Sequence, residues 1–233
     1  MRILLVSATA AEIGPVTAGL RPSTLSGSLR AGEGQRIAGY HCDGHDVDVL
    51  VSGVGMVATA TWCTHALCRE RYDLALNLGV CGSFDRSLTL GAVVHVVSDR
   101  VAELGAEDDE AFLSIHQMHL LDENEPPFVD GRLVNQAPPI TPTLSGLPAV
   151  SGITVNTVHG RDRSIAAVTE RFAPQVESME GAAFMYACLV HDQRFAQVRA
   201  VSNVVERRNR EAWKLSEAVA NLGATTLRML SEL

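Results

Sequence analysis

The chain reads as a single α/β domain built on a central mixed sheet, partly parallel and twisted, with helices on its faces. Three observations predict this. Short apolar runs alternate with longer stretches of helical character from one end to the other. The first run, Ile3-Leu4-Leu5-Val6, is continuously apolar, as a strand buried on both faces must be. The 233 residues, 46% hydrophobic and 20% charged, suit one large core and exclude a disordered chain.

After the opening strand, Ala10 to Leu20 is helical, with Gly14 and Pro15 blurring its boundary. Arg36 to Ser52 holds two β-rich runs around Asp43-Gly44, a hairpin signal. Met56 to Arg71 lacks Gly and Pro and is a helix. Asp73 to Leu78 is a strand that ends in a glycine loop, Gly79-Val80-Cys81-Gly82, and Ala92 to Val101 is again β-rich. Between about 103 and 147 the prolines at 126, 127, 138, 139 and 142 break the pattern. The expectation is an irregular surface insertion, a candidate substrate lid. Val150 to Val155 restores a strand, and Asp162 caps a helix to Phe172. Gln175 to Met179 reads as a short edge strand and Gly181 to His191 as an apolar helix. Gln197 to Val205 is a strand, and Glu211 to Leu233 a closing amphipathic helix.

A formal net charge of -8 repels phosphate backbones, so nucleic acid is not an expected partner. Five cysteines, an odd number without a C-x-x-C pair, speak against a disulfide framework or zinc site and fit a reducing cytosol. Ala8-Thr9-Ala10 has the form of a signal-peptidase site, but the preceding apolar stretch is too short and Glu12 follows at once. A cytoplasmic protein is expected, and no run approaches the ~20 apolar residues of a membrane span. His116 and His119, with Asp122 nearby, have metal-ligand spacing, yet histidines on such a polar segment are usually unliganded. Gly53-x-Gly55 lacks the third glycine of a dinucleotide fingerprint and does not follow the first strand. No metal or organic cofactor is expected.

Ligands of α/β sheets gather at the carboxyl ends of strands. Residues placed there are Thr9 and Glu12, Gly53-Val54-Gly55, the Gly79 loop, Glu180 and Asn203. Singly, each also has a plain structural explanation. Glu12 fits a solvated acid in a first helical turn. Glu180 fits a charge opening an apolar helix, and Asn203 a residue satisfying backbone groups at a strand end.

Together they form a pattern. The opening strand with Ala11-Glu12, Ser52-Gly53-Val54-Gly55, Asn77-Leu78-Gly79-Val80-Cys81-Gly82, the segment Glu177 to Ala183, and Arg199-Ala200-Val201-Ser202-Asn203 resemble the nucleoside phosphorylase and nucleosidase family over nearly the whole chain. Thr154-Val155-Asn156-Thr157-Val158, Glu177-Ser178-Met179-Glu180-Gly181 and Arg207 to Trp213 resemble its futalosine hydrolase branch, which serves menaquinone biosynthesis. The methylthioadenosine/adenosylhomocysteine nucleosidase branch usually carries Ser-Asp where Ser202-Asn203 stands, and a serine-like residue near Val80-Cys81.

The resemblance implies roles. Glu12 would hold the attacking water, Met179 would line the ribose face, and Glu180 would bind the ribose hydroxyls. Asn203 would meet the purine at N7, with Gly79, Val80 and Val158 among the substrate contacts. Phosphorolytic relatives hold phosphate with arginines, and no such set is evident, so water is the expected nucleophile. The chemistry agrees: cleaving a ribosyl bond builds positive charge on the sugar, which carboxylates stabilise, and negative charge on the base, which hydrogen bonds stabilise. The Asn203 amide can donate to O6 and accept from N7–H of hypoxanthine, whereas an aspartate suits the amino group of adenine. Futalosine carries an aromatic carboxylate beyond its ribose, which Arg207, Arg208 or Arg210 can pair with; a solvated basic patch is the other reading of these arginines. The expected function is hydrolysis of futalosine to hypoxanthine, by a homo-oligomer based on a dimer. The alternatives are another purine nucleosidase or phosphorylase, including the methylthioadenosine/adenosylhomocysteine type, and a nucleoside-binding module without turnover.

Overall fold

Apolar residues in the first strand are buried on both sides, and this sets the layers of the molecule. The computed structural model describes residues 1–23, 36–109 and 111–233. Its elements in chain order are β1 (Arg2–Ser7), α1 (Ala10–Ala18), β2 (Arg21–Pro22), β3 (Ile37–Cys42), β4 (His45–Val51), α2 (Met56–Arg69), β5 (Leu74–Ser83) and β6 (Val93–Asp99). There follow β7 (Gly105–Asp108), β8 (Ala111–Ser114), β9 (Phe128–Val129), β10 (Arg132–Val134), α3 (Pro142–Gly146) and β11 (Ala149–Thr154). The chain continues with α4 (Asp162–Phe172), β12 (Val176–Ser178), α5 (Gly181–Val190), β13 (Phe195–Val204) and α6 (Leu215–Ser231).

Successive side chains of a strand point to opposite faces. Ile3 and Leu5 of β1 accordingly pack with Leu76, Val198, Ile13 and Leu222 under α1 and α6. Leu4 and Val6 pack with Ala75, Cys63, Ala182 and Phe184 under α2 and α5. The sheet is mixed. β1 lies parallel between β4 and β5, and β13 runs parallel to β5 but antiparallel to β6. Because β12 joins β5, and β11 bridges β12 to β6, the five strands β5, β12, β11, β6 and β13 close into a ring. β2, β3, β4 and β1 extend the sheet on one side, and β10 and β9 extend it from β6.

Four expectations need correction. The glycine segment at 79–82 is not a loop: β5 continues through it to Ser83, paired with β13 throughout. β12 is not an edge strand but sits between β5 and β11, so hydrogen bonds on both flanks stabilise a run of only three residues. The stretch from about 103 to 147 carries short elements among its turns. β10 joins the main sheet through β6 with Leu133 fully buried, β7 and β8 form a separate hairpin, and Pro142 opens α3 just after its cap, Thr141. Asp162 is the first residue of α4 rather than its cap, and α6 begins at Leu215 after a single turn of 3₁₀-helix at Arg210–Ala212.

Candidate active site

The carboxyl ends of β1, β5, β12 and β13 meet around a cavity of about 550 Å³. It is walled by Val80, Val158, Met179, Trp213, Leu215 and Val219, and three glutamates, Glu12, Glu177 and Glu180, open into it.

Glu12 closes the first turn of α1. Thr9 caps that helix by accepting from the Glu12 amide, and Glu12 Oε2 in turn accepts from the Thr9 amide (3.1 Å) and hydroxyl (2.8 Å). Its other oxygen, Oε1, accepts from the Val80 amide at 3.0 Å. The residue is 9% exposed, so the solvated-acid explanation fails. Gly79 lies directly beneath: a Cβ there would stand 2.9 Å from Glu12 Oε1 and 2.5 Å from Arg199 Nη1. Carboxylate and guanidinium thus converge over a position that only glycine leaves open.

Arg199 is fully buried on β13. Its Nη2 donates to Asn77 Oδ1 and, at 3.4 Å, to Gln197 Oε1, while Nη1 stands 3.5 Å from Glu180 Oε2. Glu180 occupies the cap position of α5, 5% exposed, and accepts from the Gly55 amide at 3.0 Å. Gly55 has φ of 96°, a conformation glycine adopts without strain, and this turns its N–H toward the glutamate.

At the other end of the cavity stand Asn203 and Glu177. The Asn203 amide is oriented by its neighbours: Oδ1 accepts from the Ser202 hydroxyl (2.8 Å) and Nδ2 donates to the Val204 carbonyl (3.0 Å). Glu177, 4% exposed, accepts from the His159 amide (3.1 Å) and lies 2.7 Å from its ring Nδ1. Cys81 also lines the cavity, but burial pushes its thiol up to about 12, so it is no nucleophile at neutral pH.

Of the residues singled out from sequence, Glu12, Glu180, Asn203, Val80, Val158, Met179 and Arg208 line this one cavity, whereas Gly79 does not line it but lies against the Glu12 carboxylate. Arg207 and Arg210 do not line it. Arg208 and Arg210 both approach the Trp213 ring, at 5.4 and 5.9 Å from its centroid, and only Arg208 lies on the cavity side. Sequence reasoning missed Arg199, Glu177 and His159 as site residues. Arg199 had a signal, since an arginine in an otherwise apolar strand needs a buried partner. His159 had none.

Two further clefts have volumes of about 520 and 670 Å³, and His159, which contacts Glu177, is among the residues lining the second. The first holds His116, His119 and Asp122; among the described residues no group of three or more side chains is arranged to bind a metal ion. Among the described residues, too, no helix is long and apolar enough to cross a membrane.

The chain belongs to the phosphorylase superfamily, whose model matches residues 2–232. It is thereby an enzyme of the nucleoside phosphorylase fold. A futalosine hydrolase of Acidothermus cellulolyticus is 31% identical over 95% of this chain and 90% of its own length. A 5'-methylthioadenosine/S-adenosylhomocysteine nucleosidase of Colwellia psychrerythraea is 29% identical over 82% of this chain and 81% of its own. The solved structure of a nucleosidase of that type from the same organism, in complex with adenine, superposes with a TM-score of 0.77 at 21% identity, covering all of this chain and 96% of the other.

Proposed function

We propose that the protein hydrolyses the N-glycosidic bond of futalosine, releasing hypoxanthine, as a step of menaquinone biosynthesis. The observation that carries this reading is one cavity with two buried carboxylates at one end and an oriented asparagine amide at the other. Glu12 and Glu180 face the sugar, where the oxocarbenium charge develops. Glu12 polarises the attacking water, and Glu180, steadied by Gly55 and Arg199, binds the ribose hydroxyls. Met179 packs on the sugar, and Asn203 meets N7 and O6 of the leaving purine.

Water is preferred to phosphate for an electrostatic reason. A phosphate dianion beside Glu12 and Glu180 meets two like charges. The arginine beside Glu180, Arg199, already serves Glu180, Asn77 and Gln197, and Arg36, beside Gly53, donates to the Ser52 carbonyl. Two relatives of differing substrate at 31% and 29% identity do not decide the base, so the methylthioadenosine/adenosylhomocysteine type is the second reading. The Asn203 amide supports the first, because it offers a donor to O6. Self-association as a dimer or multiple of one belongs to the same proposal.

The test is a panel of futalosine, its 6-amino analogue, inosine and methylthioadenosine, with and without phosphate, followed by base release. The expected result is phosphate-independent release of hypoxanthine from futalosine at the highest kcat/KM. A strict phosphate requirement, or a preference for methylthioadenosine, overturns it.

A further inference from the structure

Two of the three glutamates in the cavity act on the sugar in the mechanism above; the third, Glu177, has no part in it. Its surroundings suit a ligand contact. Gly82 of β5 is the register partner of Glu177 on β12 and of Asn203 on β13. Residues paired across neighbouring strands present their side chains on the same face. Glu177 and Asn203 therefore rise on the same side of the sheet, two strand spacings or about 10 Å apart, with a residue lacking a side chain between them. A Cβ on Gly82 would lie 2.9 Å from Val205 Cγ2, 3.2 Å from Asn203 Nδ2 and 3.5 Å from Glu177 Cγ. The space above Gly82 is thus closed off by a Val205 methyl and flanked by an amide on one side and a carboxylate on the other, and the two polar groups line the cavity beyond it.

His159 holds the carboxylate in place. Its main-chain N–H donates to Oε1, and its ring Nδ1 lies 2.7 Å from Oε2. The ring packs edge-on to Phe84, with centroids 6.2 Å apart. A carboxylate oxygen has more than one lone pair, so each can accept a second bond from a ligand.

The edges of the two purine classes differ where this matters. A 6-oxopurine carries N7, O6 and N1–H in a row, so next to the carbonyl it presents a donor. A 6-aminopurine carries an unprotonated N1 there, an acceptor whose lone pair faces a carboxylate unfavourably. We infer that Glu177, held by His159, accepts a hydrogen bond from N1–H of a 6-oxopurine base and, together with Asn203 across Gly82, selects that base over a 6-aminopurine. This rests on the reading of the cavity as a purine nucleoside site and names the residue that decides the class of base.

The experiment separates the two. Binding of the free bases hypoxanthine, 1-methylhypoxanthine and adenine is measured by calorimetry for the wild type and for Glu177→Gln, alongside kcat/KM for futalosine and its 6-amino analogue. Glutamine keeps the size and an acceptor for the His159 bonds but adds a donor that adenine N1 can accept. The wild type should bind hypoxanthine at least about 10-fold more tightly than adenine, and more tightly than 1-methylhypoxanthine, which lacks N1–H. In Glu177→Gln the preference over adenine should fall by at least about 10-fold, and the ratio of kcat/KM values should fall with it. A purely structural role would lower all affinities and rates and leave the ratios unchanged; unchanged ratios in a folded variant overturn the inference even if futalosine is cleaved. If futalosine is not cleaved but the base preference and its loss are seen, the inference stands and the substrate reading falls. A wild-type preference for adenine overturns both.

Discussion

Glu12 serves two purposes with one side chain. It completes the capping box of α1 and presents a carboxylate to the cavity. Glutamine also completes a capping box, so Glu12→Gln removes the charge and spares the helix. We expect kcat to fall by about 10²-fold or more, as for a removed acid–base group, with a stability loss of about 1 kcal/mol because the glutamine NH₂ cannot accept from the Val80 amide. Glu180→Gln should lose as much activity and, in stability, about 1–3 kcal/mol, because Arg199 is fully buried and loses its nearby anion. Paired stopped-rate assays and urea titrations check both. Near-wild-type turnover in either folded variant removes that residue from the mechanism.

At the scale of elements, the site depends on how the first turn of α5 seats against the sheet. Ala182 N donates to Thr154 Oγ1 at 2.7 Å, and Thr154 Oγ1 in turn donates to Asp99 at 3.0 Å. Gly181, next to Glu180, leaves no room for a side chain: a Cβ would stand 2.1 Å from Gln197 Oε1 and 2.2 Å from Asp99 Oδ2. Helix propensity alone favours alanine over glycine by up to about 1 kcal/mol. Overpacking against two hydrogen-bonded buried groups costs more. Gly181→Ala should therefore destabilise the protein by about 2 kcal/mol, measured by urea titration, and lower kcat by displacing Glu180. A stabilised, fully active variant would show that α5 does not rest on this platform.

At the scale of the molecule, the closed ring of strands buries a carboxylate. Asp99 ends β6 and accepts from Gln197 Nε2 (2.9 Å), Thr154 Oγ1 (3.0 Å) and the Arg100 amide (2.8 Å). Burial outweighs these bonds and the nearby Arg199 charge, and raises its carboxyl from an ordinary 3.8 to about 6. Between those values the folded state holds the proton and the unfolded chain does not. Stability therefore falls as pH rises from about 4 to about 6 and is level above, by about 3 kcal/mol from this group. In Asp99→Asn that decline should be absent, so the stability difference between wild type and variant should shift by about 3 kcal/mol toward the variant between pH 4 and pH 7. Denaturant titrations across that range test it, and parallel pH profiles for the two proteins would show that Asp99 does not titrate there.

The elements themselves were largely legible, because their causes are local. Ile3 to Val6 could only be a buried strand, Asp43-Gly44 only a hairpin turn, and Thr9 with Glu12 begins a helix by contacts three residues apart. Glu12, Glu180 and Asn203 could be named because the first two follow closely on strands and the third stands at the end of one, and strand ends are where α/β sheets bind ligands. What no local pattern contains is which strand lies beside which. The three residues Val176–Ser178 became an interior strand, and the proline-rich stretch lent β10 to the sheet, through hydrogen bonds to partners far away in the chain. Those pairings set Glu177 and Asn203 on either side of Gly82, brought His159 to Glu177 and Arg199 to Glu180, and left Arg208 but not Arg207 or Arg210 at the cavity. By itself the sequence determined the elements and the two ends of the site. The tertiary structure alone decided what stands between them, because register across a sheet is fixed by long-range pairing and not by neighbours along the chain.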